Sequence, residues 1–61
     1  LLAGRTVESI TVPAAIHVVA IGRGGKTFLP TLGTVFQEGD VLYIAVTPTA
    51  SGRLREMLDL G

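Results

Sequence analysis

Cysteine and tryptophan are absent from this 61-residue chain, and histidine occurs once, at His17. Without cysteine the chain forms no disulfide and offers no thiolate ligand for a metal. One histidine and scattered carboxylates do not make a structural zinc site either. A domain this small buries only about 60% of its unfolded surface, which leaves its stability marginal. We therefore expect association with another chain to supply part of the stability.

Net charge is lacking as well, because five basic residues balance five acidic residues. Nucleic-acid-binding domains normally carry a basic excess, so no nucleic-acid partner is expected. Charged residues make up only 16% of the chain and apolar residues 48%. This composition is apolar for a small domain, in which surface dominates. It favours a partner that covers part of the apolar surface.

Long apolar runs are also missing. The longest runs, 18–21 and Val41–Val46, fall well short of the ~20 residues that a transmembrane helix needs. No signal peptide is recognisable. We expect a cytoplasmic domain. Because the first residue is Leu1 rather than methionine, we also expect a fragment of a longer protein.

The residue pattern predicts an α+β fold, in which a small antiparallel sheet of three to four strands is followed by one C-terminal helix. The predicted strands are 6–10, 16–21, 26–29 and Val41–Val46. Gly24 and Gly25 supply the two positive φ angles of a tight hairpin turn, and a second turn is predicted at 38–40. In the helix, Thr47 is the predicted cap, Pro48 the first position and Gly61 the stop.

Both faces of the predicted sheet are largely apolar. If each strand alternates strictly, Val41, Tyr43 and Ala45 lie on one face, and Leu42, Ile44 and Val46 on the other. For the predicted strand 16–21, the same rule places Ile16, Val18 and Ala20 on one face and His17, Val19 and Ile21 on the other. The helix, with an apolar stripe formed by Ala50, Leu54, Met57 and Leu58, covers one face. The other face requires a partner, and we expect a two-fold homodimer.

Residues 20–27 match a relaxed phosphate-loop pattern that ends in Lys26-Thr27. A phosphate loop leads directly into a helix, whereas Phe28-Leu29-Pro30 is strand-like and is then blocked by proline. We therefore interpret the stretch as a hairpin turn and expect no hydrolase or transferase activity. His17 is interpreted as a strand residue at the sheet margin or dimer interface, because no catalytic or metal partner is evident.

Charged residues occur at both turns. Glu38 and Asp40 flank Gly39 and are interpreted as solvated turn residues. Arg23 and Lys26 flank the Gly-Gly turn. They are either an ordinary solvated turn or an edge that faces an anion, because cations beside exposed glycine N–H groups favour phosphate.

The order of several segments resembles the TrkA-C domain, the C-terminal lobe of the regulator of potassium conductance (RCK) module. The segments are Leu2-Ala3-Gly4-Arg5-Thr6-Val7, Val18-Val19-Ala20-Ile21-Gly22-Arg23, Leu29-Pro30, Gly39-Asp40-Val41-Leu42 and a short terminal helix. The corresponding domain is 2–61. Many TrkA-C domains have a short helix between the first two strands, for which only 10–15 is available here.

The resemblance implies a regulatory, ligand-sensing and dimerising lobe of a potassium or other cation transport protein, peripheral to the inner face of the cell membrane. Such lobes act through their parent protein on a membrane-embedded channel or transporter subunit. The resemblance implies no resident cofactor. In some members the dimer binds cyclic di-adenosine monophosphate (cyclic di-AMP), and the residues that match that region are Ile21, Arg23, Leu29 and Pro30, with Lys26 nearby.

Two alternatives remain open from the sequence. One is a purely structural dimerisation lobe that senses nothing. The other is the sensor lobe of a transcription regulator. A nucleotide-binding fold upstream would favour transport, and a helix-turn-helix would favour transcription.

Overall fold

The computed structural model describes residues 2–58, and the predicted helix stop at Gly61 lies outside them. The elements are a 3-10 turn (Val7–Ile10), strands β1 (Ile16–Arg23), β2 (Lys26–Phe28) and β3 (Val41–Val46), a second 3-10 turn (Pro48–Ala50) and helix α1 (Ser51–Met57). The three strands form one antiparallel sheet in the order β2-β1-β3. The predicted α+β class and its C-terminal helix are confirmed.

The prediction of a strand over 6–10 was wrong. These residues form the first 3-10 turn, and only Thr6 makes a strand-like bridge, to Val35. The Ser9 hydroxyl donates a 2.6 Å hydrogen bond to the Thr6 carbonyl. Such local side-chain bonds offer the backbone an alternative to a sheet ladder.

Strict alternation along β1 was also a wrong prediction, because β1 contains a bulge. Val18 pairs with Ile44, but the next pair is Ala20 with Tyr43. Val19 and Ala20 therefore both lie opposite one residue of β3. The extra residue moves Ile21 to the face that carries Ile16 and Val18.

The core lies on one face of the sheet, which we call the inner face. Its buried cluster consists of Val7, Ile10, Ile21 and Phe36, with Leu2, Val18, Phe28, Leu42 and Met57 packed against it. The inner face is thus covered chiefly by the first 3-10 turn and by Phe36, from the loop between β2 and β3. The helix contributes Met57, so it supplies less of the cover than the sequence predicts.

The helix begins differently from the prediction. Pro48 stands at the start of the second 3-10 turn, and α1 follows directly after Ala50. Thr47 precedes the turn, but its side chain makes no capping hydrogen bond. Ala50 is buried, and Leu54 and Met57 are half-buried, as expected for an apolar stripe. Within residues 2–58, no helix has the length and hydropathy needed to cross a membrane.

The opposite side of the sheet, which we call the outer face, is made by His17, Val19, Val41, Tyr43 and Ala45. All five of these residues are exposed. Val19 and Tyr43 are each 50% exposed and Val41 55%. The alternation predicted for β3 is confirmed, since Leu42 and Ile44 are half-buried between these exposed neighbours. No described element covers the outer face.

Candidate functional site

The β1–β2 hairpin ends the sheet in a turn made by two glycines. Arg23 pairs with Lys26 across the turn, and Gly24 and Gly25 have φ angles of 59° and 79°. Both angles lie in the left-handed region, which glycine adopts without the Cβ clash that other residues suffer. The predicted hairpin turn is confirmed. Because residues 26–28 form a strand, the phosphate-loop pattern lacks the helix that would bind phosphate.

Arg23 does not extend freely from this turn. Its Nε donates to Asp40 Oδ1 at 2.8 Å, and its Nη2 donates to Asp40 Oδ2 at 2.7 Å. Nη2 also donates to the Val35 carbonyl at 3.1 Å, and the guanidinium lies 5.1 Å from the centre of the Phe28 ring. A bidentate pair of this kind fixes geometry because both groups are planar. Arg23 therefore ties β1 to the loop that leads into β3.

Asp40 is the acceptor at the centre of this arrangement, so its interpretation as a solvated turn residue was wrong. Its side chain is only 4% exposed, compared with 30% for Arg23. The hydrogen bond from Arg23, followed by that from the Gln37 backbone N–H, lowers the pKa of Asp40 to about 2. The same side-chain bond raises the pKa of Arg23. Gly39, with a φ of 88°, forms the turn that brings the carboxylate into place.

An open cleft of about 320 Å³ lies where the hairpin meets β3. It is lined by residues 22–27 together with Gly39, Val41 and Tyr43. Lys26 has no ion-pair partner among residues 2–58. The cleft thus combines a cation, the Thr27 hydroxyl, turn backbone groups and an aromatic ring. A cation beside N–H and hydroxyl donors is an arrangement that suits an anion.

The structure separates the five residues predicted to bind a ligand. Arg23 and Lys26 line the hairpin cleft, whereas Ile21, Leu29 and Pro30 do not. Ile21 is fully buried in the core, and Leu29 is 83% exposed.

The sequence prediction missed three side chains that line the cleft, those of Thr27, Val41 and Tyr43. The hairpin register places Thr27 opposite Gly22, and β3 brings Tyr43 next to β1. The alternation of β3 alone would have placed Tyr43 on the outer face, but only the pairing of β3 with β1 brings it to the hairpin.

Other candidate groups remain apart. His17 lines a second cleft, of about 260 Å³, on the outer face beside Ala14 and Ala45. A third cleft, of about 420 Å³, is lined by Leu2, Ala3, Leu42 and residues 36–40. Across residues 2–58, no three His, Asp or Glu side chains come together in a group that could hold a metal ion.

Comparison with known families supports the resemblance predicted from the sequence. No curated protein matches the chain. The TrkA-C domain family matches residues 1–59. TrkA-C domains are regulatory rather than catalytic, and they are commonly part of potassium transport proteins. The match spans nearly the whole chain, and the chain therefore belongs to the TrkA-C domain family.

Proposed function

We propose that this domain is a ligand-sensing and dimerising regulatory lobe of a potassium transport protein. It would act in the cytoplasm, through its parent protein, on a membrane-embedded channel or transporter subunit. Membership of a regulatory family supports the general role. Two features of this chain support the finer role: an uncovered apolar face of the sheet and a cleft at the hairpin.

The observation that carries the proposal is the uncovered outer face. Val19, Val41 and Tyr43 are all at least half exposed on it. Burying apolar surface yields roughly 25 cal/mol per Å², so leaving three large side chains in water forgoes stability that a small domain needs. A stable interface buries about 800 Å² per partner, roughly a fifth of the 4151 Å² surface of this chain. A second copy placed over this face would supply such an area.

Sedimentation equilibrium tests the association. We expect the wild-type chain to be a dimer at micromolar concentration and Tyr43→Asp to be a folded monomer, because a buried unpaired charge is strongly unfavourable. Leu32→Asp is the matched control. Leu32 is 53% exposed but lies in the loop between β2 and β3, so its substitution should leave the dimer intact. A folded wild-type monomer would contradict the proposal.

The proposed ligand is a small anionic nucleotide such as cyclic di-AMP, bound at the hairpin cleft. Lys26 offers a cation without an ion-pair partner in residues 2–58, and Tyr43 offers a ring on which a base can stack. Arg23 is the second candidate for binding phosphate. Its guanidinium is already bonded to Asp40, so a phosphate that takes both donors must displace that carboxylate. The exposed Leu29 side chain would supply an apolar surface beside the hairpin.

Calorimetric titration of cyclic di-AMP into wild type, Lys26→Ala and Arg23→Ala tests the ligand. Loss of one charge-assisted hydrogen bond should weaken binding about 10- to 150-fold. We expect this loss for Lys26→Ala, and for Arg23→Ala only if phosphate displaces Asp40. Arg53→Ala, an exposed change in α1, is the control. If the chain is a dimer but gives no heat with cyclic di-AMP, the result would contradict the proposed ligand and favour a purely structural dimerisation lobe.

A further inference from the structure

The Arg23–Asp40 pair joins the linings of two clefts. Arg23 lines the hairpin cleft, Asp40 lines the third cleft, and Gly39 lines both. The side chain of Arg23 is 30% exposed, whereas that of Asp40 is 4% exposed. A solute in the hairpin cleft can therefore reach the guanidinium more easily than it can reach the carboxylate.

Most of the donors of this guanidinium are already in use. An arginine side chain has five N–H groups. Nε donates its single hydrogen to Asp40 Oδ1, and Nη2 donates to Asp40 Oδ2 and to the Val35 carbonyl. The two N–H groups of Nη1 have no acceptor within residues 2–58. An anion can thus contact Nη1 first, but any further bond must replace an acceptor that Arg23 already holds.

The two anions would also share one positive charge. Arg23 is the ion-pair partner of Asp40 in the described part of the chain. A phosphate bound to the same guanidinium would lie close to the carboxylate, and like charges at short distance disfavour each other. The carboxylate and the phosphate therefore compete for Arg23, whichever edge of the guanidinium the phosphate takes. The third cleft, which Asp40 lines, gives a displaced carboxylate access to water.

Arg23 also connects the hairpin to the loop between β2 and β3. Within residues 2–58, its three bonds are the only side-chain hydrogen bonds between residues 16–28 and residues 29–40. The same loop is bonded to the N-terminal segment, because the Phe36 N–H donates to the Arg5 carbonyl at 2.8 Å. Loss of Arg23 from the loop would therefore loosen a segment that contacts the first residues of the domain.

We propose that Asp40 is an internal competitor for the hairpin cleft: an anionic ligand takes Arg23 from Asp40, and its binding loosens the loop that Arg23 holds to the hairpin. The inference rests on the proposed ligand and specifies how its binding is regulated. The apparent affinity is reduced by the fraction of molecules in which Asp40 holds Arg23. By the same linkage, bound ligand favours the released loop.

The competition also selects among ligands. Replacing one carboxylate by another on Arg23 gains nothing, so the ligand must add contacts that Asp40 does not make. Lys26 and Tyr43 offer such contacts in the hairpin cleft, a cation for phosphate and a ring for a base. A phosphate ester with a base is thus favoured over a simple carboxylic acid.

Calorimetric titration of cyclic di-AMP into wild type, Asp40→Asn and Glu38→Gln tests the competition. Asp40→Asn removes the competing charge with little change in size, and we expect it to bind at least about fivefold more tightly. Glu38→Gln is the control, because Glu38 is an exposed charge in the same turn that is not bonded to Arg23. Its affinity should change by roughly twofold at most. In the Arg23→Ala background, Asp40→Asn should give no gain.

Amide hydrogen exchange of the wild-type chain provides a second measurement that needs no substitution. The Gln37 N–H donates to Asp40 Oδ2 at 2.9 Å. Saturating cyclic di-AMP should make this amide exchange faster, whereas binding without release of Asp40 leaves exchange unchanged or slower. The Thr31 N–H, which donates to the Thr34 hydroxyl at 3.0 Å in the same loop, is the control and should not exchange faster.

Circular dichroism establishes that the variants fold, and the Gln37 amide decides the question if Asp40→Asn does not. A wild type that binds without faster exchange at Gln37, or without a gain in folded Asp40→Asn, would overturn the competition while keeping the proposed ligand. A gain that persists in the Arg23→Ala background would overturn it as well. No heat from either the wild type or Asp40→Asn would overturn both the competition and the ligand.

Discussion

The guanidinium of Arg23 and the carboxylate of Asp40 are joined by two parallel hydrogen bonds, of 2.8 and 2.7 Å, across 17 positions of sequence. Residues 32–36, which precede Asp40, bond in turn to the N-terminal segment, where the Gly4 N–H donates a 2.9 Å hydrogen bond to the Phe36 carbonyl. The pair therefore connects the hairpin to the segment that covers the core.

This pair should make the stability of the domain depend on pH in the acid range. The pKa of Asp40 in the folded chain is about 2, below its ordinary value of 3.8. A lowered folded pKa stabilises the protein above the ordinary value, and the contribution is lost as pH falls from about 4 to about 2. We expect the urea midpoint to fall over this interval. Asp40→Asn should lower the midpoint at pH 7 and flatten the acid dependence, whereas Glu38→Gln, an exposed neighbour in the same turn, should do neither.

The hairpin turn should tolerate alanine poorly. Gly25 has a φ of 79°, where an L-residue costs about 1–2 kcal/mol, so Gly25→Ala should destabilise the domain by roughly 1 kcal/mol. A Cβ added there meets nothing within 4 Å beyond its own chain neighbours, so the cost comes from the local backbone conformation alone. Gly33 does not have a positive φ and is the matched control. Equal urea midpoints for the two alanine variants would contradict this explanation.

Ala14 occupies the left-handed region with a φ of 62° and is the one described residue other than glycine to do so. It lies in the turn between Val12 and Ile16, whose backbone groups bond to each other. Ala14→Gly removes the Cβ clash at the expense of a more flexible unfolded chain. We expect a net stabilisation of about 0.5–1 kcal/mol. Ala3→Gly, at an exposed position without a positive φ, should be neutral or destabilising instead.

Phe36 should be the most sensitive core position outside the sheet. It is almost fully buried and belongs to one core cluster with Val7, Ile10 and Ile21. Phe36→Ala should cost about 3–5 kcal/mol, since a deleted buried ring leaves a cavity. That loss is comparable to the whole stability of a small domain, and thermal melting monitored by circular dichroism should show a largely unfolded chain. Leu29→Ala, at an 83% exposed site, should change the midpoint little and serves as the control.

The parts of the fold that the sequence predicts are those determined by short-range pattern. β-branched runs identify β1 and β3, and the paired glycines identify the hairpin, because these signals lie within a few residues of each other. The contact of Arg23 with Asp40 joins residues from different elements, and no local pattern marks it. The sequence therefore indicated charges near the hairpin but not which of them would be free.

The prediction of a strand over 6–10 was wrong for a related reason. Alternation over 6–10 indicates a strand, but the carbonyls of Leu32 and Thr34 accept from Glu8 and Val7 at spacings that suit a turn. These hydrogen bonds, which replace those of a strand, depend on a loop more than 20 positions away in sequence. The bulge at Val19 is equally invisible, since nothing in a run of valines and alanine marks where an extra residue will be inserted.

The bulge in β1 absorbs one residue without disturbing the pairing on either side of it. Deleting Val19 would join Val18 directly to Ala20, and strict alternation would then keep Ile21 and Arg23 on the inner face. Arg23 would stay beside Phe28 and Asp40, and the pairs between β1 and β3 would form a regular ladder. A one-codon deletion could in this way remove the bulge without carrying any charge across the sheet.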